Sequence, residues 1–97
     1  MKTIKNVMPQ GEVLVVRVKS LPKQGLVERQ AEDGLLIVAH SETGHHYAIA
    51  AQPGVVQLFG TDDPLESYIS VRERPAQLEH YRTWDTHETL ELPPGDY

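Results

Sequence analysis

The sequence predicts an all-β fold, a single small antiparallel sandwich or barrel of about seven or eight short strands. Runs rich in valine, isoleucine, leucine and tyrosine recur about every eight to twelve residues, with glycine, proline or aspartate between them. No segment repeats its apolar residues at helical spacing over about ten positions. The 97 residues are enough for one domain, which we place at residues 12–97, behind an N-terminal tail formed by residues 1–11.

The strongest predicted strand covers residues 12–19. Its β-branched content favours extended backbone, and residues 13–16 are apolar on both faces. Such a strand is typical of a central position, or of one that is covered on both sides. Turn residues follow at 21–25, and a weaker strand is predicted for residues 26–32.

Asp33 and Gly34 predict a tight hairpin turn, because both central positions of a type I′ turn need positive φ. Residues 35–40 form the arm that follows this turn. A four-residue connection at 41–44 then leads to a returning strand at 45–51.

The remaining strands are predicted at 55–60, 65–71, 76–81 and 89–92. The second of these is ambiguous, since Leu65, Tyr68 and Ile69 would share one face of a helix. Its β-branched and aromatic content favours a strand. The third alternates apolar and polar residues, which is the period of a half-buried strand.

Composition excludes some classes of protein. The chain has no cysteine, so it forms neither disulfide bonds nor thiolate metal sites. It has no apolar stretch of the length that a signal peptide or a membrane span requires. We therefore expect a soluble protein with no membrane partner, located in the cytoplasm, or in a virion if it is encoded by a phage.

Charge is distributed unevenly along the chain, whose formal net charge is −5. Residues 1–30 carry six basic and two acidic side chains, whereas residues 31–97 carry three arginines and twelve acids. The basic residues are too dispersed for the stripe that nucleic-acid binding needs, so no nucleic-acid partner is expected. The polarity suits contact between a basic end of one copy and an acidic end of another, although an unevenly charged, solvated surface is the simpler explanation.

Three of the five histidines lie within seven positions around the 41–44 connection. This loop length places His40 opposite His45, with Cβ atoms about 4.5–5.5 Å apart, near enough to share a metal. His46 then points to the opposite face. A site for one divalent transition metal would use four candidate ligands: His40, His45, His80 and His87. The alternative is a set of ordinary histidines that bind backbone or water, with no cofactor.

Four segments carry a resemblance: residues 10–18, 41–49 (which opens Ser-Glu-Thr-Gly-His-His), 78–80 and 87–97 (which contains Leu-Pro-Pro-Gly-Asp-Tyr). Together they resemble a group of short uncharacterised bacterial and phage proteins. That group has a Glu-x-Thr-Gly-His-x-His-like segment and closes on a Leu-Pro-x-Gly-x-Tyr turn. The resemblance implies a phage or prophage context but no known activity. Tyr47 stands where the group has its second histidine, which removes the best chelating pair.

Two functional hypotheses remain, and neither is an enzyme, because the chain has no nucleophile elbow and no phosphate-binding loop. The first is a non-enzymatic binding or assembly module, a phage or prophage accessory or capsid-associated protein that contacts copies of itself or a larger protein assembly. Trp84, in a polar loop, is a candidate interface anchor for it, or equally a cover for the open end of a barrel. The second is a cupin-like metal-binding domain built around His45 and His80.

Overall fold

The computed structural model describes residues 2–10, 13–40, 46–81 and 89–97. Within these residues it contains no helix and eleven β-strands: β1 Lys2–Thr3, β2 Val7–Gln10, β3 Val13–Val16, β4 Val27–Glu28, β5 Leu35–His40, β6 His46–Ala50, β7 Val56–Gly60, β8 Ser67–Val71, β9 Ala76–Tyr81, β10 Leu90–Leu92 and β11 Gly95–Asp96. The all-β prediction is confirmed. The count exceeds the expected seven or eight because β1, β4 and β11 are only two residues long.

The strands form two main sheets and one ribbon. The order of the five-stranded sheet is β1-β10-β9-β6-β5, and that of the four-stranded sheet is β11-β8-β7-β4. Strands β2 and β3 pair only with each other and form the ribbon. Every pairing is antiparallel except that of β1 with β10.

One hydrophobic core lies between the sheets, so the domain is a small β-sandwich. Side chains alternate across a strand, and β7 shows this clearly, with Val56 and Leu58 buried and Gln57 exposed. Both sheets, the ribbon and the last residue contribute to the core, which comprises Ile4, Val15, Leu36, Tyr47, Ile49, Val55, Val56, Leu58, Ile69, Val71, Ala76, Leu78, Leu90, Leu92 and Tyr97.

The turn predicted at Asp33 and Gly34 is confirmed. Both residues have positive φ, 52° and 78°, and Glu32 and Leu35 exchange backbone hydrogen bonds of 2.8 and 3.0 Å across the turn. The arm before the turn differs from expectation, because its strand β4 pairs with β7 in the other sheet. The chain therefore passes from one sheet to the other immediately before this turn.

Residues 2–10 belong to the folded domain, although the sequence led us to expect a tail there. Strand β1 lies parallel to β10, and the Lys2 and Ile4 amides donate to the carbonyls of Thr89 and Glu91 at 3.1 and 3.0 Å. Ile4 is only 2% exposed. A single isoleucine among polar neighbours gives too weak a pattern to predict a strand. The extended conformation of these residues is stabilised by their pairing with β10.

Candidate functional site

The ribbon of β2 and β3 exposes an apolar surface. We expected residues 13–16 to be covered on both faces, but only one face of β3 packs on the core. Val15 is 6% exposed, whereas Leu14 and Val16 are 63% and 41% exposed. The prediction of a central strand is therefore wrong, and the apolar residues that suggested it form an open surface instead.

Strand pairing extends this surface onto β2. Val7 pairs with Val16 and Pro9 pairs with Leu14, so these four side chains share one side of the ribbon. Val7 is 56% exposed, and Pro9 is exposed as well. We call these four residues the ribbon face. Their combined exposed area is roughly 300 Å², which is the size of patch that often marks a binding surface on a monomeric protein.

The opposite side of the ribbon holds it in place. Val15 is buried in the core, and Met8 and Val13 pack against it while partly exposed. A lone two-stranded ribbon has marginal stability in water, so these contacts fix its position. The ribbon face is thus an exposed apolar surface on a ribbon that the core anchors.

A cleft of about 630 Å³ opens beside β3, along the edge that β2 does not use. One wall is Val13–Val16 and the other is formed by residues 64–69, which include the start of β8. Its floor comes from the five-stranded sheet, through Val38, Ala39, Tyr47 and Leu78. Glu66 is the charged residue among the described groups that line it. We call this cleft the strand slot.

Strand β11 defines how wide the strand slot is. At one end of the slot, β11 lies between the two walls: the Val18 amide donates to the Asp96 carbonyl at 2.9 Å, and Asp96 pairs with Ser70. Ile69 and Tyr97 exchange hydrogen bonds of 2.7 and 2.9 Å. The two walls are therefore one strand apart at that end, and the slot continues the line of β11 beyond Tyr97.

Tyr97 closes that end of the slot. Its side chain is 5% exposed, and its hydroxyl donates to the Pro93 carbonyl at 2.6 Å. Arg17 lies against it, with its guanidinium carbon 5.6 Å from the ring centroid and Nη2 donating to the Pro94 carbonyl at 2.7 Å. Burial raises the pKa of the Tyr97 hydroxyl, and the positive charge of Arg17 opposes that rise.

The other end of the slot is bordered by an acidic loop. Asp62, Asp63 and Glu66 surround Leu65, which is 95% exposed. The hydroxyl of Tyr68 donates to Glu66 at 2.6 Å, and this hydrogen bond to a carboxylate raises the pKa of Tyr68. The loop holds its shape through local contacts, such as the Leu65 amide donating to the Asp63 carboxylate at 2.9 Å.

The structure places the predicted histidines differently from the sequence. His40 pairs with His46 instead of His45, and on the next strand His80 pairs with Tyr47. His45 and His87 lie outside the described residues, as do the side chains of His40 and His80. The metal hypothesis stays a prediction. Within the described part of the chain, no group of three or more histidine, aspartate or glutamate residues is arranged to hold a metal ion.

Two parts of the site were missed by sequence reasoning. Val7 and Pro9 were assigned to a tail, because the apolar Met8 between them removes the apolar–polar alternation that would indicate a half-buried strand. The slot has no signal in the sequence at all, because it arises from strands that are far apart along the chain. Trp84, the predicted interface anchor, lies outside the described residues.

Comparison with known proteins identifies a family but no characterised relative. No helix in the described residues is long and apolar enough to cross a membrane. No curated protein and no solved structure matches the chain. Residues 9–97 match the model of the family described as Domain of unknown function (DUF8820), and the chain therefore belongs to that family.

Proposed function

We propose that this protein is a non-enzymatic assembly module that binds a second copy of itself through the ribbon face. The observation that supports the proposal is the pairing of four exposed apolar side chains on one side of β2 and β3. Scattered exposed apolar residues are normal, but a contiguous group is typical of an interaction surface.

The size of the ribbon face suits the centre of an interface. A stable contact buries about 800 Å² on each partner, so a patch of roughly 300 Å² would form an apolar centre inside a polar rim. Lys5, Arg17 and Lys19 flank the ribbon and are exposed. The acidic side chains of residues 31–97 offer these basic groups complementary charge on a second copy.

Strand chemistry supports this use of the ribbon. An exposed apolar β-ribbon promotes uncontrolled aggregation unless a partner covers it. Because proline has no backbone N–H, Pro9 removes one hydrogen-bond donor from β2. This limits the addition of a further strand to β2. The expected contact is therefore face to face, with the side chains of two ribbons packed together.

The phage or prophage setting and the capsid role are supported by the resemblance alone. They are not needed for self-association, which depends on the ribbon face in any setting. The cupin-like metal hypothesis stays a prediction, with no supporting observation among the described residues.

The test is sedimentation equilibrium from about 1 μM to about 1 mM, the range in which a contact of moderate affinity is resolved. The double variant Leu14→Thr, Val16→Thr places β-branched threonine, which favours strands, at both positions and adds hydroxyls to the ribbon face. We expect its self-association to be at least about tenfold weaker than that of the wild type, a loss of about 1.4 kcal/mol.

The matched control is Val27→Thr. Val27 is 70% exposed on β4, at the edge of the four-stranded sheet, and does not belong to the ribbon face. We expect this variant to associate like the wild type. A wild-type protein that stays monomeric over the whole range, or a double variant that associates as strongly as the control, would contradict the proposal.

A further inference from the structure

The strand slot is a second surface, and it differs in kind from the ribbon face. The ribbon face presents side chains, whereas the slot presents the main chain of two strands. Its walls are β3 and the start of β8, and neither is paired on the slot side within the described residues, except where β11 ends. The ligand that such a surface recognises is determined by the direction of its amide and carbonyl groups.

The hydrogen-bonding groups of β3 point into the slot at alternate residues. The Arg17 amide donates to Asn6 on the ribbon side at 2.7 Å, whereas the Val18 amide donates to Asp96 on the other side. Since these directions alternate along a strand, the amide and carbonyl groups of Val16 and Leu14 point into the slot. Among the described residues, no backbone group pairs with these amides and carbonyls.

The opposite wall has the same arrangement. Ile69 donates to and accepts from Tyr97 across the end of the slot. By the same alternation, the amide and carbonyl of Ser67 point toward the slot, two residues further along. Both walls therefore offer main-chain hydrogen bonds at a separation that β11 already shows to be one strand wide.

The floor determines which side chains fit. Val38, Ala39, Tyr47 and Leu78 form an apolar base from the five-stranded sheet. Tyr97, which directly follows β11, turns its side chain inward, where it is 5% exposed. A strand in line with β11 would place every second side chain on this floor, because side chains alternate across a strand.

The geometry points to a binding site for an extended segment of a partner protein, about four residues long, with apolar side chains at alternate positions. The four residues of β3 that line the slot span about 13 Å at strand rise. The segment would run in the direction of β11, antiparallel to both walls, and complete the four-stranded sheet by strand addition. This inference does not depend on self-association through the ribbon face.

The test uses a capped synthetic peptide in which valine alternates with threonine over six residues, with a lysine at each end for solubility. Binding is followed by amide shifts and hydrogen exchange in nuclear magnetic resonance spectra. We expect the amides of Leu14, Val16 and Ser67 to exchange freely in the free protein and to become protected when the peptide is added. The same peptide with N-methyl groups at alternate amides should bind at least about tenfold more weakly. The methylated amides cannot donate hydrogen bonds, so the carbonyl groups of one wall are left without partners.

A pair of variants tests the position of the site. Ala39→Phe fills the floor of the slot, whereas Ala50→Phe places the same side chain at an exposed position on the paired strand. The first should weaken peptide binding at least about tenfold and the second should leave it within about twofold. The peptide pair gives an independent result if Ala39→Phe does not fold.

Four outcomes would overturn the inference. The first is that the peptide causes no change at these three amides. The second is that Ala39→Phe folds and binds as well as Ala50→Phe. The third is protection of the amides in dilute free protein, which would mean that a segment of this chain fills the slot. The fourth is protection that rises with protein concentration, which would assign the slot to a second copy.

Discussion

Tyr97 is the residue that ties the last strand to the rest of the domain. Its ring is buried, its hydroxyl binds the Pro93 carbonyl at 2.6 Å, and its backbone pairs with Ile69. The neighbouring ion pair of Arg72 with Asp96, at 2.8 Å, is partly exposed on the arginine side and is worth little by comparison. Tyr97 therefore anchors β11 together with the backbone pairing of β11 to β8 and to Val18.

We predict that Tyr97 makes the domain sensitive to alkaline pH. Burial raises its pKa in the folded protein above the ordinary value of 10.0, so the folded state holds the proton more tightly than the unfolded state. This stabilisation is complete below the unfolded pKa and is lost as the pH rises through the folded pKa. Urea unfolding between about pH 7 and pH 11 should show stability falling above about pH 10.

The variant Tyr97→Phe separates this effect from other alkaline titrations. At neutral pH it should be less stable by about 1 kcal/mol, the worth of the lost hydrogen bond. The difference from the wild type should shrink above about pH 10, because the variant has no hydroxyl to ionise. The wild type, unfolded in urea at the same pH values, is the reference for this comparison. A difference that stays constant with pH would show that burial does not perturb Tyr97.

At the scale of elements, local turn chemistry was predictable and strand irregularities were not. Asp33 and Gly34 sit at positive φ as expected, because their residue types alone favour that conformation. A four-residue loop at 41–44 implies the register that β5 and β6 have at their start, where Leu35 pairs with Ala50. A shift between Ile37 and Ala39 then moves the pairing by one residue. Such bulges are common on edge strands, and they cannot be recognised from the amino-acid sequence of the strand.

That single shift explains why the histidine prediction differs from the structure. Without the shift, the four-residue loop would place His40 opposite His45. The extra residue on β5 places His40 opposite His46 instead. The strand slot was beyond sequence reasoning for a related reason, since its walls come from strands about fifty residues apart, and their approach depends on the packing of whole sheets.

The connection between β8 and β9 contains a second irregularity, and it yields a prediction. Glu73 has a φ of 71°, and the Arg74 amide donates to the Arg72 carbonyl at 2.8 Å around it. A hydrogen bond from residue i+2 to residue i around positive φ is the pattern of a strained γ-turn. A non-glycine residue at positive φ costs about 1–2 kcal/mol. We therefore expect Glu73→Gly to stabilise the domain by about 0.5–1 kcal/mol in urea unfolding.

The control for this change is Glu73→Ala, which removes the same carboxylate but keeps the Cβ atom. It should leave the stability within about 0.5 kcal/mol of the wild type. Equal effects of glycine and alanine would mean that the side chain, and not the backbone conformation, determines the result. The turn lies where the chain crosses from the four-stranded to the five-stranded sheet, within residues 72–75.

At the scale of the whole molecule, the N-terminal residues connect the ribbon to the five-stranded sheet. Strand β1 pairs with β10 at the edge of that sheet, and three residues separate the end of β1 from the start of β2 in the ribbon. Ile4 lies between these two strands and is 2% exposed. Its side chain packs into the same core as Leu90 and Leu92. Loss of this contact would therefore loosen the strand that leads into the ribbon.

We predict that Ile4→Ala destabilises the domain by about 2–4 kcal/mol, the usual cost of removing a large aliphatic side chain from a core. A domain of this size has about 5–15 kcal/mol of stability in total, so the loss should be plain in urea unfolding monitored by circular dichroism. Val7→Ala is the matched control, because Val7 is also near the N-terminus but is 56% exposed; its cost should stay below about 1 kcal/mol. Equal costs for the two variants would support the prediction from the sequence that these residues form a tail outside the folded domain. A much larger cost for Ile4 would establish that residues 2–10 fold with the rest of the domain.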